Sequence, residues 1–168
     1  MRSFMRLIIS RTSVAILTLF LLSLTCSARI LKNVVYGHVG GVDLTLDANI
    51  PDGAGPFPAA VLVHGGGWVA GDKQQYITYI FQPLSAAGFA WFSINYRLAP
   101  QYHFPAPAED VEQAIRFVKA HAADYRIDPR RMALIGESAG GHLVSYVGAR
   151  NQPGSQLAAV VSLYGIHD

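Results

Sequence analysis

Short, wholly apolar runs constrain the fold of this chain most. Ala59-Ala60-Val61-Leu62-Val63 has no polar residue on either face, so as a strand it must be covered on both sides. Phe89–Ile94 is a second buried run, Arg131–Ile135 a short third and Leu157–Tyr164 a fourth. Between them, apolar residues recur three and four apart. Tyr76–Ala87 aligns Ile77, Ile80, Phe81, Leu84 and Ala87 as a helical face, with Pro83 marking a kink or short break and Gly88 a stop. Pro107–Ala122 aligns Val111, Ala114, Ile115, Val118 and His121 or Ala122, and Glu109, Asp110 and Glu112 load the first turn as the helix dipole favours. Ser138–Ala149 makes a third helix. Strands alternating with helices predict an α/β fold, a mostly parallel sheet with helices on both faces.

Ahead of these units, Asn33–Val39 and Val42–Ile50 flank Gly40-Gly41 and predict a β-hairpin. Its second arm alternates, with Val42, Leu44, Leu46 and Ala48 on one face and Asp43, Thr45, Asp47 and Asn49 on the other. Pro51–Pro56 reads as a surface loop and Asp128-Pro129 as a turn.

The first 28 residues read as a secretory signal peptide. Arg2, Arg6 and Arg11 precede the apolar run Val14–Leu24, and Cys26-Ser27-Ala28 offers small residues for cleavage after Ala28. That run is shorter than the roughly 20 residues a membrane span needs, so no stable span is expected after cleavage. Rival readings are an uncleaved anchor and, on a poor lipobox match, a lipoprotein acylated at Cys26. The expectation is export, to a periplasm or beyond, with 29–168 as the remaining domain portion. Three of the 13 basic residues lie in the leader, leaving ten against 11 acidic ones, so no basic patch predicts a nucleic-acid partner. Cys26 is the only cysteine, so the mature chain would form no disulfide and offers no Cys/His metal cluster.

Two glycine-rich stretches follow apolar runs directly. Gly136-Glu137-Ser138-Ala139-Gly140 fits G-x-S-x-G, in which a serine sits on a tight strand-to-helix turn with its hydroxyl exposed. Gly136 and Gly140 are required because strand and helix approach too closely for side chains. A chance G-x-S-x-G in a turn is the plain alternative, and the strand before and helix after argue against it. His64-Gly65-Gly66-Gly67-Trp68 fits a loop that presents backbone N–H groups to an oxyanion. Gly66, Gly67 and the N–H of Ala139 are the expected donors, and Gly65 and His64 shape and support the loop. A flexible loop or phosphate cradle is the alternative, but the latter needs a following Gly-Lys-Ser/Thr, absent here. Together the two stretches point to acyl-ester chemistry with Ser138 as nucleophile.

With Tyr96-Arg97-Leu98-Ala99-Pro100, Phe104-Pro105-Ala106-Pro107, Glu109-Asp110-Val111 and Ile127-Asp128-Pro129, these motifs occur in one order. From about Val34 onward the chain resembles the hormone-sensitive-lipase-like and BD-FAE-type carboxylesterases of the α/β-hydrolase superfamily. The resemblance implies a Ser–Asp/Glu–His triad without a cofactor, the acid and histidine following the serine in the chain. They would lie on loops after later strands, beyond residue 168, because Asp168 follows the strand next to the elbow and is too early. The chain is therefore expected to be the N-terminal part of the fold, inactive and poorly soluble alone. His142, one turn after Ser138, is expected to be structural rather than the base. His103, His121 and His167 read as surface or loop residues. Arg97 with Glu109 or Asp110 is expected to brace the loop beneath the site, and Tyr96 to be structural. Asp72 is expected to cap the following helix. Trp68, Tyr102 and Phe104 are expected either to line an acyl or alcohol pocket or to serve packing.

The implied reaction is hydrolysis of small or medium acyl esters through an acyl-enzyme at Ser138. Amidase, formamidase or peptidase chemistry on the same fold is an alternative. A non-catalytic binding or scaffold protein is another.

Overall fold

The computed structural model describes residues 28–167. The expected leader, apart from Ala28, lies outside the described residues. Six strands form one sheet: β1 (Arg29–Val39), β2 (Val42–Ile50), β3 (Phe57–Val63), β4 (Ala90–Ile94), β5 (Ile127–Glu137) and β6 (Ala159–Leu163). Their spatial order is β1-β2-β4-β3-β5-β6. β4, β3, β5 and β6 run parallel, while β1 pairs antiparallel with β2, and β2 with β4. The helices are α1 (Phe81–Ala86), entered through a 3₁₀ turn at Ile77–Ile80, α2 (Ala106–Ala120) and α3 (Ala139–Arg150).

The continuous apolar runs explain the layering. Successive residues of β3 point to opposite faces. Ala59, Val61 and Val63 join a large core beneath α2 and α3 with Phe92, Val111, Ile115, Leu134 and Leu143. Ala60 and Leu62 join a smaller core with Ile77 and Trp91, against Phe81 and Leu84 of α1. The parallel sheet with helices on both faces is thus as the apolar runs predict. At the far edge, Val160 and Val161 of β6 are each 39% exposed.

Three local expectations need correction. The expected helix over Tyr76–Ala87 is split, because Pro83 has no N–H with which to continue an α-helix back to Tyr79. The α-helix starts only at Phe81 and ends where Gly88 and Phe89 donate to Ser85 and Leu84 carbonyls. Asp72 therefore caps no helix; its carboxylate accepts from the Gln74 N–H at 2.7 Å and closes a turn. The Asp128-Pro129 turn lies inside β5, as an irregularity between the Phe57↔Ile127 and Ala59↔Met132 pairs.

The polar face of β2 also differs from a simple alternating strand. Asp47 and Asn49 are buried, at 1% and 6% exposure. Asp47 accepts from Lys32 Nζ (2.9 Å), the Asn33 N–H (2.9 Å) and Gln74 Nε2 (2.5 Å). Lys73 Nζ stands 3.7 Å from its other oxygen. Burial alone would raise the Asp47 pKa; the three hydrogen bonds and the Lys73 charge outweigh it and hold the carboxyl below the ordinary aspartate value. Its contribution to stability is accordingly full above the ordinary aspartate range and lost as pH falls through the lower folded value. Lys73 is itself only 8% exposed. Removing the carboxylate leaves that ammonium without its countercharge. Asp47→Ala is expected to cost about 3 kcal/mol in denaturant unfolding. Asp43→Ala, on the exposed hairpin end, is expected to cost under about 0.5 kcal/mol.

Candidate active site

Adjacent parallel strands end on the same edge of a sheet, and β3 and β5 are adjacent. Val63 pairs with Gly136, so the residues that follow each strand emerge side by side. The structure thereby brings together the two glycine-rich stretches that the sequence separates. A Cβ built on Gly65 would lie 3.3 Å from the Ser138 Cβ.

Ser138 occupies φ 50°, ψ −118°, a backbone region that costs a non-glycine residue about 1–3 kcal/mol. Three contacts hold it there. Its N–H donates to the Leu163 carbonyl of β6 at 2.9 Å, and its own carbonyl accepts from the His142 N–H at 3.0 Å. The third contact is steric. A Cβ on Gly140 would run into the Val63 carbonyl, and one on Gly136 into the Gly140 carbonyl. The α3 N-terminus thus sits directly on the end of β3, with Ser138 at the turn between strand and helix.

The loop after β3 is folded onto its own backbone. The Gly66 carbonyl accepts from the N–H groups of Val69 and Ala70, at 3.2 and 3.1 Å. Gly66 lies at φ 107°, and a Cβ there would collide with the Ala70 carbonyl. Among the described residues no acceptor faces the N–H of Gly66 or Gly67. Ala139 is the first residue of α3, so its N–H has no intrahelical acceptor. None of the three N–H groups singled out in the sequence has a backbone hydrogen-bond acceptor among the described residues.

His64 lies beneath this loop and bonds to it. Its ring is buried, stacks on Tyr96 with centroids 4.4 Å apart, and donates from Nδ1 to the Gly65 carbonyl at 2.7 Å. Burial pushes its pKa below the ordinary histidine value, against the opposing pull of the Gly65 carbonyl. The Tyr96 hydroxyl donates to the His64 carbonyl at 3.1 Å, and burial raises its pKa. His64 Nδ1 is thus committed to the carbonyl of the loop it precedes.

Arg97 hydrogen-bonds Asp110 and makes a longer ion pair with Glu109. Arg97 Nη2 and Nε reach Asp110 Oδ1 and Oδ2 at 2.7 and 2.9 Å, and the Arg97 N–H adds a bond at 2.8 Å. Glu109 is 3.7 Å away. Asp110 is fully buried, so this pair ties the Tyr96–Pro107 loop to the first turn of α2.

Glu137 is the residue that sequence reasoning missed. It is 6% exposed and accepts from the Tyr164 hydroxyl at 2.7 Å. The hydrogen bonds with Tyr79 and Glu137 raise the Tyr164 pKa. Only its place as the variable residue of G-x-S-x-G marked it, and that carries no chemistry by itself.

Trp68, Tyr102 and Phe104 do form a pocket, a cavity of about 300 Å³ that His142 and Leu143 of α3 complete. Of the other histidines, His121 donates to the Phe117 carbonyl and His167 contacts Ser162, while His103 is exposed on the cavity rim. Among the described residues no three His, Cys, Asp or Glu side chains converge as a metal site requires, and no helix is long and apolar enough to cross a membrane.

The chain is similar to known esterases in sequence and in fold. A family model described as BD-FAE matches residues 46–168. The probable carboxylic ester hydrolase LipM of Mycobacterium tuberculosis is 33% identical over 143 residues, covering 79% of this chain and 33% of the relative. An ethyl acetate hydrolase of Pseudomonas putida is 33% identical over 113 residues, covering 66% of this chain and 36% of its own. Among solved structures, a truncated carbohydrate esterase from gut microbiota superposes with a TM-score of 0.75 at 31% identity, over 84% of this chain and 57% of that one. The chain spans about a third of the length of the curated relatives it matches. The architecture is that of the α/β-hydrolases.

The Arg97–Asp110 pair gives a direct test of the loop brace. Arg97→Ala leaves a buried carboxylate unpaired and is expected to cost about 3–5 kcal/mol in denaturant unfolding. Arg97→Lys is expected to recover only part of that, because an ammonium cannot span both carboxylate oxygens as the guanidinium does.

Proposed function

The chain belongs to the BD-FAE family of α/β-hydrolases, and from that premise we propose that it carries the nucleophile and anion-binding half of a serine carboxylester hydrolase. The observation that carries this reading is a strained Ser138 at the end of β5, beside the glycine loop that leaves the paired strand β3, with the N–H groups of Gly66, Gly67 and Ala139 without backbone acceptors among the described residues. The names of the two curated relatives, a carboxylic ester hydrolase and an ethyl acetate hydrolase, support an ester substrate. The cavity volume of about 300 Å³ supports a small or medium acyl group.

In this reaction Ser138 Oγ forms a bond to the ester carbonyl carbon as a base removes its proton. The carbonyl oxygen becomes an oxyanion. The N–H groups of Gly66, Gly67 and Ala139 receive it, and they need no reorganisation as the charge develops. Each such donor contributes about 10²–10³ in rate. Collapse breaks the bond to the alkoxy oxygen, which leaves as the alcohol with the proton the base took up. Water then repeats the sequence on the acyl-enzyme and frees the acid. The base and its orienting acid are a histidine and an Asp or Glu supplied by segments beyond residue 168. The chemistry needs no cofactor. Residues 1–28 act as an export signal, so the enzyme works outside the cytoplasm on small-molecule esters.

A fluorophosphonate probe tests the nucleophile in the complete protein. Mass spectrometry is expected to find the adduct on Ser138. Ser138→Ala is expected to abolish labelling and to lower p-nitrophenyl acetate hydrolysis by about 10³-fold or more. A wild-type protein that hydrolyses the ester without labelling at Ser138 contradicts the assignment.

A further inference from the structure

The wall of the cavity beside the elbow includes His142, whose buried ring nitrogen has no hydrogen-bond partner among the described residues. His142 lies one helical turn after Ser138, and its imidazole stands perpendicular to the Trp68 ring with centroids 5.4 Å apart. Its Nδ1 is sealed from solvent and has no hydrogen-bond partner among the described residues. Nε2 is not sealed, and the residue forms part of the cavity wall. Four other imidazoles are committed: His64 to the Gly65 carbonyl, His121 to the Phe117 carbonyl, His38 to Asp43 and His167 to Ser162. His103 also lines the cavity, but it is exposed and can satisfy both ring nitrogens with water.

A neutral imidazole has one N–H and one bare nitrogen. Buried N–H groups without an acceptor are rarer in folded proteins than under-used acceptors. The bare nitrogen is therefore the one to seal away, and the N–H falls to Nε2, the ring nitrogen that is not sealed. Trp68, Phe104, Pro107 and Leu143 make most of the wall aromatic or aliphatic. The Tyr102 hydroxyl there already accepts from Gln101. Trp68 directly follows Gly67, and His142 is hydrogen-bonded to Ser138 through the backbone, so the cavity abuts both halves of the site.

We propose that His142 is a specificity-determining residue. Its Nε2–H donates to an acceptor oxygen on a ring-bearing group of the substrate seated in this cavity. It thereby selects esters with a carbonyl or ether oxygen at that point over their hydrocarbon counterparts. The identity of the ligand as a substrate rests on the esterase reading above; the existence of the site does not.

The test uses binding to the full chain and no turnover. Acetophenone and α-methylstyrene are isosteres that differ in one acceptor oxygen. Their affinities are read from NMR shifts of the Trp68 indole in the wild type, in His142→Phe and in His142→Leu. Phe keeps the edge contact with Trp68, and Leu guards against a misfolded first variant. Both variants are expected to move the affinity ratio against acetophenone by about three- to tenfold, the range one hydrogen bond supplies. In the wild type, nitrogen-15 shifts are expected to show His142 protonated at Nε2 and bare at Nδ1. An Nδ1–H tautomer, an unchanged ratio in the variants, or no Trp68 response to either probe overturns the proposal. An unreactive Ser138 alongside the expected change in ratio contradicts the esterase reading instead.

Discussion

Everything at this site depends on the parallel pairing of β3 with β5. Hydrogen bonding between neighbouring strands sets Val63 opposite Gly136, so the chain leaves both strands at the same level. From there the absence of side chains does the rest. Gly140 lets the first turn of α3 lie against the Val63 carbonyl, and Gly136 lets α3 close back onto β5. The serine is left at the corner with positive φ, its N–H held by β6 and its carbonyl by the first turn of α3. A methyl group at either glycine would push the helix off the sheet and move the serine away from the loop after β3.

Placement alone does not make a rigid site, since loops are the mobile part of such folds. Here three buried polar clusters fix the loops from below. His64 and Tyr96 hold the glycine loop through its carbonyl groups. Asp110 fixes the Arg97 backbone and side chain. Asp47 gathers Lys32, Asn33 and Gln74, with Lys73 nearby, beneath the segment that follows the glycine loop. Each is costly to bury and costly to break, because the partner left behind would be desolvated without compensation. Their shared location under the loops fits a site whose donors must be in place before charge develops.

Much of this was legible in the sequence, and for identifiable reasons. The apolar runs forecast the buried parallel strands, since a strand without polar residues has no face to give to water. The glycines at 65–67, 136 and 140 forecast the turns, since their spacing has a steric cause. The failures have equally local causes. Asp47 and Asn49 alternate as solvent-facing residues do, yet β1 and the segment at Lys73–Gln74 cover Asp47, and Ser85 of α1 meets Asn49. Such cover is a tertiary fact that strand periodicity does not carry. Asp110 and Glu109 both pair with Arg97, and only the direction of the first turn of α2 makes Asp110 the buried, hydrogen-bonded one.

The central claim is that one oxygen can meet Gly66, Gly67 and Ala139 while its central atom is bonded to Ser138. A crystal structure of the complete protein after reaction with an alkyl phosphonate measures this directly. The account predicts phosphorus on Ser138 Oγ, and a phosphoryl oxygen within about 2.7–3.1 Å of all three backbone nitrogens. A phosphoryl oxygen directed to solvent, or held by side chains with the glycine loop turned away, would contradict it.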